Sequence, residues 1–412
     1  MSPIQRLFSE PHRLYFTSGA LALLLPMAWW GHYLALRLIR PPELYGNPLA
    51  VHAFGLLFGA FPLAGLGFLF TAFPRWCDSL DHLGKSYLGP WWTLSFGLIF
   101  YFFQLWSQGP WGRIGAFLLF VGLLWAWLHL ARLWKAGRQP DKRQPLYLLL
   151  VFFGGVAGSG LAALYQYFPN PALYNTALAL GVYFFWPGLV LVIGWRLLPF
   201  FTESRLGPIG CRSMPWALPL WIVGLAVKAT GQVLDFKQLW LLSDGLLLGV
   251  TLVQFYHWKL WRRKEMMLSY LYLALAWFPV SLLFGLAAGW DRLSGGYELH
   301  LDMAGVHALT VGMMASMLFA MLSRVSMGHF GLRPAATWLT NTVFFLLQLA
   351  ALSRVGLELA LIAQANVLSW LSLPAGLWLA AFGLWALRFL PFYFKPRADD
   401  APEAPRSVPP QP

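Results

Sequence analysis

The sequence predicts an all-α fold, a polytopic membrane helix bundle of about twelve transmembrane helices, and three observations predict it. Of the 412 residues, 58% are hydrophobic and only 11% are charged, and the mean hydropathy of +0.59 lies well outside the range of soluble domains. Apolar runs long enough to cross roughly 30 Å of hydrocarbon recur along nearly the whole length. Lysine and arginine gather in alternate short connections between those runs. The formal net charge of +13 therefore reads as membrane topology, and nucleic acid is not an expected partner.

Taken in order, the first run covers residues 14–36. It holds no basic residue and no small-residue cleavage site follows it, so it should persist as a helix and not be removed as a signal peptide. The runs after it are 49–74, 88–106, 112–134, 146–168, 173–198, 214–231, 239–261, 266–289, 300–324, 336–353 and 367–391. The seventh contains Lys228, and residues 354–365 fit either a helix or a loop. A single transmembrane domain, 1–395, should precede a polar, proline-rich tail, 396–412, expected to be disordered and cytoplasmic.

Orientation follows from the basic residues. Alternate connections hold Arg75 and Lys85, then Arg132, Lys135, Arg138, Lys142 and Arg143, then Arg205 and Arg212, then Lys259, Arg262, Arg263 and Lys264, then Arg333. The intervening ones hold Arg37 and Arg40, Arg113, none, Lys237, Arg292 and Arg354. This bias places both termini in the cytoplasm. It also puts four of the nine histidines, His32, His52, His300 and His307, at one level near the outer face. Cys77 and Cys211 have no ligand-like spacing and are expected to be silent. The 23 Trp, 33 Phe and 15 Tyr suit interfacial belts and equally suit walls around a large flat ligand.

An ionisable ring among hydrocarbon is expensive, so each outer histidine is a functional candidate as proton carrier, metal ligand or helix glue. His300, His307, Met314 and Met321 recur at intervals of seven, one stripe on one helix face. Imidazole and thioether both ligate haem iron and copper, although methionines alone are more simply core packing. A haem with two axial side chains needs one from each of two helices, and His52 and His307 are equally shallow on separate helices. They are the expected axial pair. Ala53, Gly55, Ala308 and Gly312 beside them permit either close helix packing or the insertion of a flat ring. Arg37, Arg40 and Arg292 are the candidate partners of anionic haem propionates. His300, His32, Met314 and His329 complete the candidate metal ligands. His12, His129 and His257 read as interfacial.

At this point the residues carry a resemblance. HAFGLLFGAFPLAGLGFLFTAFPRW from His52, GWRLLPFFTESRLG from Gly194 and GVHALTVGMMASMLFAMLSRVSMGHFGLRP from Gly305 resemble, in order and spacing, the NnrS family. PHRLYF, Pro11 to Phe16, looks like that family's opening Pro-x-Arg-x-x-Phe. The resemblance implies a twelve-helix haem- and copper-containing protein of the bacterial inner membrane, associated with nitric oxide, nitrosative stress and often denitrification. His52 matches the first histidine of the family's H-x-H-E-M-L-F-G signature, and His307 the histidine before A-L-T-x-G. Arg324 and His329 match the T-R-x-S-x-G-H ending, where they could line a second site at the cytoplasmic face. Arg13, Arg196 and Pro199 match its arginine-containing motifs. Where the family has a second histidine and a glutamate, this chain has Phe54 and Gly55, and Tyr272 stands where a histidine is usual early in the ninth helix. Those departures leave haem b alone, or copper bound through His300 and His32 instead, as the expected alternatives, with copper the doubtful one.

A looser analogy is to the main subunit of haem-copper oxidases, where histidines of the second and tenth helices hold a haem near the outer face. It is a likeness of fold only. A faint threefold echo accompanies it, in the turns LFTAFPRW, LLPFFTES and MLSRVSMGH that end the second, sixth and tenth helices. The expected function is haem-dependent nitric oxide reduction or sensing, or electron transfer from quinol. A transporter using His300, His307, Asp302 and Asp244 is the alternative, though no convincing twofold repeat is visible. A third reading is a non-catalytic haem-binding sensor or assembly partner.

Overall fold

The computed structural model describes residues 2–37, 39, 43–262 and 265–397, and all secondary structure among them is helical. Twelve long helices carry the fold: α1 Pro11–Leu36, α2 Pro48–Cys77, α3 Leu88–Phe103, α4 Trp111–Ala136, α5 Arg143–Tyr165 and α6 Pro171–Leu206. The remaining six are α7 Ala217–Leu234, α8 Lys237–His257, α9 Met266–Leu293, α10 Leu299–His329, α11 Trp338–Ile362 and α12 Leu373–Tyr393. Eleven are long and apolar enough to cross a membrane, and α3, at 16 residues, is the short one. This is a multi-pass membrane protein whose solvent is the lipid bilayer.

The expected boundaries hold to within several residues except at three helices. Pro199 does not end α6, which runs on to Leu206, and α10 continues past 324 to His329. The ambiguous segment from 354 belongs to α11, which continues to Ile362. There Arg354 and Glu358 stand four residues apart and form an ion pair, so the charges neutralise one another along the helix. Arg354 is thus a helical residue and not a loop residue.

Both ends of the described chain lie at one end of the bundle, since the Arg13 guanidinium donates from Nη1 to the carbonyls of Tyr393 at 3.1 Å and Lys395 at 2.9 Å. This is the basic end, where the lysine- and arginine-rich connections lie. The opposite end carries His52, His300 and His307 and is called the histidine end below.

Three helices occupy the centre. The most apolar stretches of α2, α6 and α10 are 83%, 67% and 72% buried, against 28–61% for the other spans. Each of the three contains a π-helical segment, Leu56–Ala60, Leu180–Phe185 and Ala308–Ala315, following α-helical stretches of 8, 9 and 9 residues. This shared placement is a feature separate from the turns that end the same three helices. A π turn accommodates an extra residue and frees backbone groups from the regular ladder, and in lipid these need partners from neighbours. Trp186 of α6 supplies one by donating its indole N–H to the Leu57 carbonyl inside the first π segment, at 2.9 Å. The other nine helices pack around this core, and α12 closes on α1, with Trp378 donating to the Leu23 carbonyl at 2.9 Å.

Close backbone approach holds the short α3. A Cβ on Gly115 of α4 would lie 2.3 Å from the Tyr101 nitrogen of α3. Lipid tails offer little hydrophobic drive for helix association, so contacts of this kind supply much of the cohesion.

Candidate functional site

At the histidine end, Asn47 caps α2 by accepting from the Leu49 and Ala50 amides at 3.0 and 3.2 Å, with Pro48 as the first helical residue. The cap seats His52 in the opening turns. Its half-buried ring stacks on Trp30 of α1, centroids 4.1 Å apart and planes 16° from parallel. Among the described residues neither His52 nitrogen takes part in a hydrogen bond, so the ring is held by its face and its edges stay available.

On α10, Glu298 caps the helix through the His300 amide at 3.1 Å. His307 is the last α-helical residue before the π segment, and its Nδ1 donates to the Met303 carbonyl at 2.7 Å. A carbonyl only accepts, so Nδ1 carries the proton and Nε2 keeps its lone pair. This is the tautomer a metal ligand needs. His52 and His307 lie within electrostatic reach of each other and of Arg354 on α11.

Arg354 is the residue sequence reasoning missed. Its Nη2 pairs with Glu358 Oε1, and Glu358 Oε2 in turn bonds His300 Nδ1, a chain running out to the half-buried His300. The other terminal nitrogen, Arg354 Nη1, is buried and has no hydrogen-bond partner among the described residues. The available signal was the Arg and Glu four residues apart within an otherwise apolar stretch.

The other candidates divide. Arg292 is already engaged: it forms ion pairs with Asp302 and Asp235 and lies over Trp240 and Tyr297 at 4.2 and 4.4 Å. Arg37 is half-buried at the end of α1, His32 is exposed, and Arg40 lies outside the described residues. Met314 and Met321 line an apolar cavity of about 80 Å³ between α2, α6 and α10, which no histidine lines. The π segment intervenes between His307 and Met314, so their spacing of seven no longer keeps them in one α-helical stripe. The small residues pack: Gly55 receives the Phe102 ring, and Gly312 receives Trp277, whose indole donates to Gln348 at 2.8 Å.

Where the family pattern has ligating groups, Phe54 packs against Phe58 and Tyr174, and Tyr272 bonds Thr202 of α6. Among the described residues no three of His, Cys, Asp and Glu assemble into a metal-binding group. In the α6–α7 connection, burial pushes the Cys211 thiol up to about 11, which keeps it a protonated, unreactive thiol near neutral pH.

At the basic end, His329 stacks on His12 with centroids 4.0 Å apart and planes 30° from parallel. Arg324 lies over Phe201 at 3.9 Å, and Arg196 over Trp76 at 5.5 Å. These positions sit far along the chain from one another, and their convergence follows from α1, α2 and α10 ending side by side. His12 therefore has a partner that its interfacial reading did not include.

Comparison with curated proteins finds no match. The family model for the NnrS protein matches residues 6–397, which includes all twelve helices and every histidine of both ends. The chain belongs to the NnrS family.

Proposed function

We propose that this protein is a haem b-binding protein of the bacterial inner membrane acting in nitric oxide and nitrosative-stress metabolism, with His52 and His307 as axial ligands. One observation carries the proposal: at the histidine end, an imidazole with its lone pair freed at Nε2 stands within electrostatic reach of a second imidazole and of a guanidinium with a buried, unpartnered N–H. The group fits these residues in two respects. Two imidazoles on separate central helices match its axial demand. Arg354 is paired with Glu358 through Nη2 but keeps Nη1 unpartnered among the described residues, a donor suited to an anionic propionate, whereas both terminal nitrogens of Arg292 are engaged.

When bound, haem supplies a one-electron redox centre whose potential depends on axial ligands and burial. The chain's own residues do the rest. The Met303 carbonyl fixes the His307 tautomer and raises the ligand's basicity. Glu358 holds Arg354 in place, and His300 offers Glu358 a proton connection towards the outer surface. Trp30 and the aromatic cluster around it limit water access to His52. Copper is left out of this proposal, because Phe54 and Tyr272 offer a hydrocarbon ring and a bonded phenol where ligands would be needed. The nitric oxide role, whether reduction, sensing or quinol-linked electron transfer, rests on family membership.

An absorption spectrum of the purified protein tests the reading. A Soret band is expected, shifted or lost in both His52→Ala and His307→Ala and weakened in Arg354→Gln. Absence of any Soret band, or a band indifferent to both histidine substitutions, would sink it.

A further inference from the structure

The basic end contains a second built site that the haem reading does not use. A pocket of about 450 Å³ opens where α1, α2 and α10 end beside the last described residues. Its wall includes Arg6, Arg13, Arg75 and Arg397, together with His12 and His329, and Glu10 is the one carboxylate among its described lining residues. The volume falls within the roughly 300–1,000 Å³ of ordinary small-molecule sites.

Charge decides what such a pocket takes. Among the described lining residues, four guanidiniums stand with one carboxylate and make a concave positive surface, flanked by the apolar bundle that focuses its field. A metal cation at His329 would face that field. A haem is no better suited, because the two imidazoles stack face to face at 4.0 Å and leave no gap for a macrocycle between them. An anion satisfies both features.

His12 points the same way. It is 2% exposed, yet among the described residues neither ring nitrogen has a hydrogen-bond partner, although both belong to a residue in the pocket wall. Leaving two buried polar atoms unpaired is costly, and a ligand oxygen would relieve it. Arg13 plays a shaping part, tied to the Tyr393 and Lys395 carbonyls and lying over Phe330 at 5.1 Å. Arg75 stands at the end of α2 and Arg6 on the short helix Pro3–Leu7, both on the wall with planar forks suited to phosphate oxygens.

We propose that this pocket binds a phosphate-bearing anion, engaged by Arg6 and Arg75 and by the imidazoles of His12 and His329. The chemistry is that of a phosphate group carried either by an anionic lipid headgroup or by a soluble phosphate compound. A basic pocket between helix ends at a membrane surface is open to both. The proposal stands independently of the haem reading, whose site is at the other end of the molecule.

The test uses the full-length protein in two arms. In one, inorganic pyrophosphate is titrated calorimetrically into protein held in phosphatidylcholine nanodiscs. In the other, cardiolipin is mixed into the nanodiscs and its retention is read by native mass spectrometry. Saturable binding is expected in at least one arm, and the arm that responds names the source. Arg75→Gln and Arg6→Gln should each weaken it about tenfold, the size expected for losing a charge-assisted hydrogen bond. Arg138→Gln, which removes a charge from the same end through a residue paired with Asp78 and Asp81, should leave it unchanged. Arg6 lies outside the bundle core, so its variant carries the test if Arg75→Gln fails to fold. No saturable binding in either arm, or an equal loss in Arg138→Gln, would overturn the proposal.

Discussion

Lys228 of α7 and Asp244 of α8 form an ion pair with side chains only 4% and 1% exposed, over the ring of Tyr183 and against Gly285 of α9. Lys228 made the seventh span ambiguous in the sequence, and the pairing explains how the helix keeps it. Removing one partner strands a charge in a low-dielectric interior, whereas replacing both with apolar groups of similar size avoids desolvation altogether. Lys228→Met alone or Asp244→Leu alone should therefore cost about 3–5 kcal/mol. The double variant should recover most of that loss, as read by unfolding in detergent. A double variant no more stable than the worse single one would contradict this account and point to a role for the charges themselves. At the same scale, His52 and His307 were legible as candidates because ionisable rings are rare in apolar runs. Their relation to Arg354 was not, because a guanidinium near a helix end looks the same in sequence whether it faces water or turns inward.

At the scale of elements, the π segments of α2, α6 and α10 shape the centre of the bundle. Hydropathy locates these helices well, but an inserted residue within an apolar run leaves no mark on it. The seven-residue spacing therefore does not carry one α-helical stripe across from His307 to Met314, although His300 and His307 share an α-helical stretch and Met314 and Met321 share a cavity. Close packing governs the outer helices, and α3 is the sensitive one. Gly115→Ala places a methyl against the α3 backbone, where no flexible side chain can yield. Overpacking of this kind should destabilise the protein by about 1–3 kcal/mol. Gly245→Ala is the control, since nothing lies within 4 Å of its added Cβ. Equal stability of the two variants in a detergent melt would refute the argument.

For the molecule as a whole, charge and site are segregated by end. The basic connections and both ends of the described chain share one end, and His52, His300 and His307 share the other. The basic connections predict that the basic end faces the cytoplasm, so a fluorescent reporter fused after Pro412 should fluoresce and alkaline phosphatase inserted after Gly296 should be active. The reverse pattern would invert the orientation. The sequence by itself determined that the chain is a helical membrane protein and roughly where each helix runs. It could do so because a bilayer imposes a one-dimensional rule, in which every spanning backbone must satisfy its own hydrogen bonds over a set length of apolar residues. Only the tertiary structure decided which groups meet: His52 with Trp30, His307 with the Met303 carbonyl, Arg354 with Glu358 and so with His300, and His12 with His329. Those meetings depend on the rotation of each helix about its axis and on the phase shift at each π segment, and lipid-facing and core-facing residues here are too alike in hydropathy to record either.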